Sequence, residues 1–202
     1  MTVLSSSCGA SRPVRYYVLD TPPAPVVNPS AVYPVSLLVG RPSGTHLYRD
    51  DRLVYGNGQV QLGTYEYERW LETPVDMIQD ILMSTLRASG QYRSVSRVSS
   101  NVRGDYILRG HIYSISEVDN FEKGKKTDVT ARVSLQLELY DPSARAIVWS
   151  DSYTHDEPVN GKTVQDVVLA LDRNISSGVH ELAQSLGQYF ANHLPPQTKS
   201  GN

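Results

Sequence analysis

The chain reads as an α+β domain, an antiparallel-rich sheet with two main helices packed on one face. Three observations predict it. From 129 to 139, Val129, Ala131, Val133, Leu135, Leu137 and Leu139 alternate without a break with polar neighbours, the period of two of a strand with one face buried and one wet. Two other stretches, 75–86 and 164–190, repeat their apolar residues every three to four positions, the period of a helix. The order is strands, helix, strands, helix, and hairpin-length links join the later strands, as in an α+β sandwich.

The elements follow in order. Residues 9–15 have tether composition, and Tyr16-Tyr17-Val18-Leu19-Asp20 is a strand-like run. Prolines at 22, 23, 25, 29 and 34 forbid a helix over 21–34 and favour extended chain crossing the surface. Val35 to Val39 is a buried-strand candidate. Residues 47–69 predict a hairpin turning at Gly56-Asn57-Gly58, its second strand interrupted at Gly63. The first helix is bounded by Thr73 as N-cap, Pro74 at the first helical position, Asp76 at the third and Gly90 at the close, with Val75, Ile78, Ile81, Leu82 and Leu86 on its apolar face. A short strand near 92–98 precedes a longer one over 105–115. Lys123-Gly124-Lys125-Lys126 is a solvated hairpin loop, and Asp141-Pro142-Ser143-Ala144 turns the chain into a strand over 146–153. The last helix spans about 163–193, with a Thr163-x-x-Asp166 capping pattern and Val164, Val167, Val168, Leu171, Ile175, Val179, Leu182, Leu186, Tyr189 and Phe190 on its buried face. Pro195-Pro196 ends it. Val133, Leu135, Leu137 and Ile107 are expected to face Ile78, Leu82, Leu171, Ile175 and Leu182, with Trp70 packed where the first helix begins.

Composition narrows the function classes. The 202 residues suit one domain with a sizeable core. Nineteen basic against 21 acidic residues leave a formal charge of −2, so the chain lacks the basic face that nucleic-acid binding needs. No segment approaches the ~20 apolar residues of a membrane-spanning helix. Thirteen tyrosines against two phenylalanines suit half-buried sheet surfaces whose hydroxyls stay wet.

Catalytic chemistry is not legible. The chain has no Gly-rich phosphate loop, no G-x-S-x-G elbow and no H-E-x-x-H pair. The five histidines are scattered. His155-Asp156-Glu157 could be imagined as metal ligands, but adjacent residues rarely converge on one ion, and a polar loop is the simpler reading. His111 lies in a strand as a satisfied sheet residue, and Asp50-Asp51 reads as a turn. Trp70 and Trp149 could form a ligand platform, although packing is the commoner use of tryptophan. The expected catalytic, cofactor-binding and metal-binding residues are therefore none, and the expected cofactors none.

Cys8, the single cysteine, sits in Ser5-Ser6-Ser7-Cys8-Gly9-Ala10-Ser11. One thiol forms no internal disulfide and no Cys-rich metal site. A lone cysteine among small residues, ahead of a polar tether and a folded body, has the form of a bacterial lipid-attachment site. Residues 1–4 are too short for the basic and apolar regions of a signal peptide. Two readings stand on the local pattern: a lipidated Cys8 whose signal lay upstream, or an incidental thiol in a frayed terminus.

Several segments together resemble the ABC-type transport auxiliary lipoproteins, the group that includes paraquat-inducible protein C. They are Tyr16-Tyr17-Val18-Leu19 soon after the cysteine, Leu53-Val54-Tyr55 after Leu47-Tyr48-Arg49-Asp50, and Tyr67-Glu68-Arg69-Trp70-Leu71-Glu72-Thr73-Pro74 before the first helix. Asp105-Tyr106-Ile107-Leu108 and the long alternating strand to Asp141 complete them. The resemblance implies residues 1–15 as a truncated signal and lipid-anchor tether, 16–195 as one domain and 196–202 as a flexible tail. It also implies Cys8 as the lipidation site. By the same resemblance, such proteins are non-catalytic and lipid-anchored on the periplasmic face of the outer membrane. They dock to an MCE-domain protein of an ABC-type lipid or solvent-resistance transport system, and a homo-oligomer is compatible with that role. Gly9 after the cysteine favours the outer membrane by analogy with sorting rules. Two other classes stay open: a carrier that binds a small molecule or lipid in its own interior, and an outer-membrane assembly scaffold. A carrier needs a continuous apolar cavity between helices and sheet; an adaptor needs a filled core and an exposed apolar patch.

Overall fold

The computed structural model describes residues 12–21, 31–57, 60–98, 101 and 103–193. Of the segments expected to be least regular, 9–11, 22–30 and 196–202 lie outside these residues. In the remainder, strand structure already begins at Arg15 and at Tyr33.

The sheet is organised around one hairpin. Strands β7 (Tyr106–Glu122) and β8 (Lys125–Asp141) are each 17 residues long and pair antiparallel along nearly their whole length. Their link is Lys123-Gly124, both at positive φ (+49° and +77°), the two-residue type I′ geometry whose twist matches that of the strands. The loop expected over 123–126 thus contracts to two residues, and Lys125 and Lys126 begin β8. At the other end of β8, Asp141 Oδ1 accepts from the amides of Ser143 at 2.7 Å and Ala144 at 3.1 Å. That turn feeds the edge strand β9 (Ala146–Pro158).

The free edge of β7 is long enough to take three short strands in succession. β2 (Tyr33–Val39), β3 (Ser43–Gly44) and β4 (Arg52–Gly56) pair with it in parallel at residues 106–108, 111–112 and 117–118. A helical turn, α1 (His46–Arg49), links β3 to β4 and buries Tyr48. β4 turns back antiparallel into β5 (Leu62–Trp70), which carries β1 (Arg15–Tyr17) in parallel on its outer side. β6 (Tyr92–Arg97) runs parallel to β2. The sheet is therefore mixed: its long ladders are antiparallel and its short ones parallel. Gly63 does not interrupt β5. It makes room for the Tyr55 ring across the hairpin, where a Cβ would lie 2.8 Å from the ring carbon bearing the hydroxyl.

Both main helices start where their caps predict. In α2 (Pro74–Ala88) the Thr73 hydroxyl donates to Asp76 Oδ2 at 2.5 Å, and the Arg41 guanidinium grips the same carboxylate at 2.6 and 2.8 Å. That pairing holds the Asp76 carboxyl down at about 2. In α3 (Val164–His193) Asp166 Oδ2 accepts from the Thr163 amide at 2.9 Å, and Thr163 Oγ1 accepts in turn from the Asp166 amide at 3.2 Å, a reciprocal capping box.

The core lies between sheet and helices. Val133, Leu135, Leu137, Ile78, Leu82, Leu171, Ile175 and Leu182 are all buried, as the two periodicities predict. Ile107 is the exception. It is half-buried, and Leu108 takes the core position opposite Leu139. The register of β7 shifts between Ile112 and Ser114, and a bulge moves the inward face to the other parity. Leu108 and Ile112 point inward before it, Ile115 and Glu117 after it. Trp70 is 1% exposed, at the end of β5 just before α2.

One buried polar residue hides inside the α3 pattern. Asn174 donates to the carbonyls of Ala131 at 2.8 Å and His155 at 3.0 Å, and accepts from the Tyr153 hydroxyl at 2.7 Å. All three contacts tie the helix to β8 and β9, and its neighbour Gly178 lets Tyr153 lie against the helix, where a Cβ would meet the ring at 2.5 Å.

Candidate functional site

The N-terminal strand is fastened by a buried carboxylate. Glu68 on β5 is 2% exposed and accepts a hydrogen bond from the Tyr17 hydroxyl at 2.8 Å. Two largely exposed guanidiniums converge on it, Arg12 at 3.4 Å and Arg15 at 3.5 Å. Arg12 also stacks over the Tyr67 ring, 5.4 Å from its centroid. On the backbone, the Leu71 amide donates to the Tyr17 carbonyl at 2.7 Å. Burial first, then the hydrogen bond and charge of Glu68, pushes the Tyr17 phenol up. A buried carboxylate needs such partners, and here they all come from the chain's first described residues. Glu68 fixes the root of the N-terminal segment to the sheet. Glu68→Ala is therefore expected to speed amide exchange across β1 and to lower stability by only about 1 kcal/mol, mostly from the lost Tyr17 hydrogen bond, because water takes over the exposed guanidiniums; unchanged exchange at Tyr16 and Tyr17 would contradict this.

A second polar cluster lies at the end of the core near the start of α3. Glu117, on the inward face of β7 after the bulge, accepts from the Tyr65 hydroxyl at 2.6 Å. The Lys126 ammonium pairs with Asp119 and stands 3.9 Å from Glu117. Burial is the main cause that raises the Glu117 carboxyl, with the Asp119 charge adding to it. Tyr65 is pushed above the usual phenol range, by burial first and then by Glu117. These groups border an open cleft of about 500 Å³ closed on its other side by Val159, Val164 and Val167. Because the folded state binds the Glu117 proton more tightly than the unfolded chain, its contribution to stability is fully present below the unfolded value of 4.5. It is lost as pH rises through the raised folded value. Glu117→Gln should flatten that part of the profile, read as urea midpoints on either side of the window.

The residues weighed for chemistry do not converge. His155, Asp156 and Glu157 alternate along β9. Arg132 forks onto Asp156 at 2.7 Å through two nitrogens, while Arg173 reaches Glu157 at 3.3 Å. Among the described residues no group of three or more His, Cys, Asp or Glu could hold a metal ion. His111 Nδ1 shares a proton with the Ser43 hydroxyl at 2.7 Å and its ring rests on Tyr113. Asp51 accepts from Arg69 at 2.8 and 3.1 Å. Trp70 and Trp149 stand on β5 and β9, with β4, β7 and β8 between them in the sheet, so they form no common platform. Cys8 lies outside the described residues. Glu68 and Asn174 escaped the sequence reading; only the position of Glu68 inside the Tyr67–Trp70 motif could have signalled it.

The space between helices and sheet bears on the two readings, carrier and adaptor. The void ringed by Ile78, Leu82, Leu135, Leu137, Val179 and Leu182 measures about 10 Å³, room for one water at most. A larger hollow of about 770 Å³ lies open on the surface between residues 18–21, 71–72 and α2, with Asp20, Glu72, Asp80, Arg87 and Asp172 in its lining. It is a polar-rimmed groove. No described helix is long and apolar enough to cross a membrane.

Comparison with known proteins agrees with this architecture. A crystal structure of a protein from Xanthomonas campestris superposes with a TM-score of 0.74 at 21% identity, covering 89% of this chain and 99% of that one. A crystal structure of an uncharacterized protein does so with a TM-score of 0.65 at 13% identity, covering 87% and 99%. At these identities the likeness shows the fold. A search of curated proteins finds no match. The family model for the ABC-type transport auxiliary lipoprotein component matches residues 17–183, from the strand fastened by Glu68 to the last turns of α3, and the chain belongs to that family.

Proposed function

We propose that the protein is a non-catalytic adaptor of an ABC-type lipid or solvent-resistance transport system. In this reading it is held by an acylated Cys8 at the periplasmic face of the outer membrane and docks to an MCE-domain protein. The observation that carries the reading is the family match over residues 17–183 on a domain whose helix–sheet core is filled. Cargo carriers enclose ligands in cavities of hundreds of Å³; here the void between helices and sheet is about 10 Å³, and the hollows of about 500 and 770 Å³ lie open at the surface with charged residues in their linings. The root of the N-terminal segment supports the same role: a buried carboxylate gripping Tyr17, Arg12 and Arg15 transmits a pull on the tether into the sheet. Tethering raises the local concentration of the domain, so that it can hold a partner without tight intrinsic affinity.

The test is affinity capture of the full-length protein from detergent-solubilised membranes, with native mass spectrometry of the product. Co-purification of the MCE-domain protein encoded beside the transporter's permease and ATPase supports the adaptor. Recovery of the protein alone with stoichiometric bound phospholipid would replace it with the carrier.

A further inference from the structure

We propose that the end of the sheet bearing Val60, Leu62 and Phe121 rests on the lipid bilayer, so that the domain stands on the membrane in one fixed orientation. The inference rests on the reading that Cys8 carries the anchor, and it adds which surface of the domain the bilayer meets.

The direction of β1 sets where the anchor can lie. β1 runs parallel to β5, with Arg15 opposite Glu68 and Tyr17 opposite Trp70. Going back along the chain from Arg15 therefore leads toward Leu62, at the other end of β5. The seven residues back to Cys8 reach at most about 24 Å. The six positions of β5 from Glu68 to Leu62 take at most about 20 Å, because β5 carries extra residues opposite Arg52–Val54. An acylated Cys8 thus reaches the level of Leu62 and past it. Ile147 marks the opposite end, because it pairs with Tyr140, which pairs with Ile107. From Arg15, whose partner Glu68 stands near the level of Ile115 on β7, that level is eight positions away, about 26 Å, and Ile147 lies four strands further across the sheet on β9, which together put it beyond the tether.

Two hairpins meet at the Leu62 level. Gly56 pairs with both Leu62 and Val118, which sets the turn after β4 beside the last residues of β7. Val60 and Phe121 line one open cleft there. Their exposures are 91% and 53%, and that of Leu62 is 48%. The turn of the β7–β8 hairpin projects past them and carries exposed Lys123 and Lys125 on either side of Gly124. Apolar side chains at a tip, with lysines whose stems can lie along the acyl boundary while their ammonium groups meet phosphates, fit a headgroup surface. Three apolar side chains do not hold a protein on a membrane unaided; with a lipid chain supplying the second signal they need only orient it.

The single cysteine makes a direct test available. Full-length protein is coupled through Cys8 to maleimide-headgroup lipid in vesicles of phosphatidylethanolamine and phosphatidylglycerol, with and without brominated acyl chains. Two variants are compared against the unsubstituted protein, Phe121→Trp and Ile147→Trp, both at exposed positions. Bromine quenches tryptophan only within the bilayer. The expected result is that the emission added by Phe121→Trp is largely lost, while that added by Ile147→Trp is unchanged. Adding Val60→Asp and Leu62→Asp to Phe121→Trp should restore the emission without releasing the coupled protein. Equal emission from both variants on brominated and ordinary vesicles would overturn the proposal, as would quenching of Ile147→Trp alone. A response of Phe121→Trp only to an added MCE-domain protein would also overturn it, and would assign the tip to that partner. Because the coupling supplies the anchor chemically, these failures are separate from failure of the Cys8 reading, which mass spectrometry of native membrane extracts decides.

Discussion

On the proposed anchor, Cys8→Ser is expected to release a folded, soluble domain from the membrane fraction when the chain is expressed behind a lipoprotein signal peptide. The first buried apolar residue among those described is Leu19, and the fastening of β1 depends on Tyr17, Arg12 and Arg15 acting on Glu68. The thermal midpoint should therefore match that of the unsubstituted domain. Several acyl chains at ~0.8 kcal/mol per buried CH₂ hold a lipoprotein on its membrane for good, so the expected change in partition is close to complete. Apparent binding to a membrane-bound MCE partner should weaken by about 10²–10⁴, the lost effective concentration, whereas the affinity of the two purified domains in solution should stay the same. Mass spectrometry of membrane-extracted protein reads the modification directly. An unmodified Cys8 thiol on a cytoplasmic species would remove the anchor and, with it, most of the transport assignment.

Leu135→Ala should be the most damaging simple truncation of the sheet face. Leu135 is 3% exposed and borders the small void shared with Ile78, Leu82, Val179 and Leu182, so both helices lose a partner at once. A leucine-to-alanine change at such a site costs about 2–5 kcal/mol, and the upper half of that range is expected, because packed helices on one side and an extended hairpin on the other leave little room to collapse. Urea unfolding followed by circular dichroism measures it. The neighbouring Gln136 faces the opposite side, where it accepts from Tyr113 and donates to Ser150. Gln136→Ala should cost far less than Leu135→Ala. Similar midpoints for the two variants would show that the inward face had been misassigned.

The strands and helices followed from local chemistry. Unbroken alternation marked β8, since a strand with one wet face must put every second side chain in the core. Thr73, Pro74 and Thr163-x-x-Asp166 marked the starts of α2 and α3, since the first amides of a helix need acceptors that nearby side chains supply. The Ile107 assignment failed for a physical reason: one extra residue between Ile112 and Ser114 inverts the parity of β7, and nothing in Ile107-Leu108-Arg109-Gly110 signals which parity applies. The helical turn at His46–Arg49 and the continuity of β5 through Gly63 were equally hidden. Gly63 depends on the Tyr55 ring across the hairpin, and the turn at His46–Arg49 buries Tyr48 in the core.

The sequence by itself determined the types of the longer elements, the apolar faces of Leu135, Ile78 and Leu182, and the family. These are properties of local periodicity, capping and the order of motifs. Tertiary structure alone decided that β7 serves as the axis for β2, β3 and β4, and that Glu68 collects Arg12, Arg15 and Tyr17. It also decided that Asn174 ties α3 to β8 and β9 and that β1 joins the outer side of β5 in parallel. Parallel pairing joins residues 53 to 69 positions apart and the contacts of Glu68 and Asn174 join residues 19 to 56 apart, and no local propensity specifies which partner an edge or a carboxylate will find.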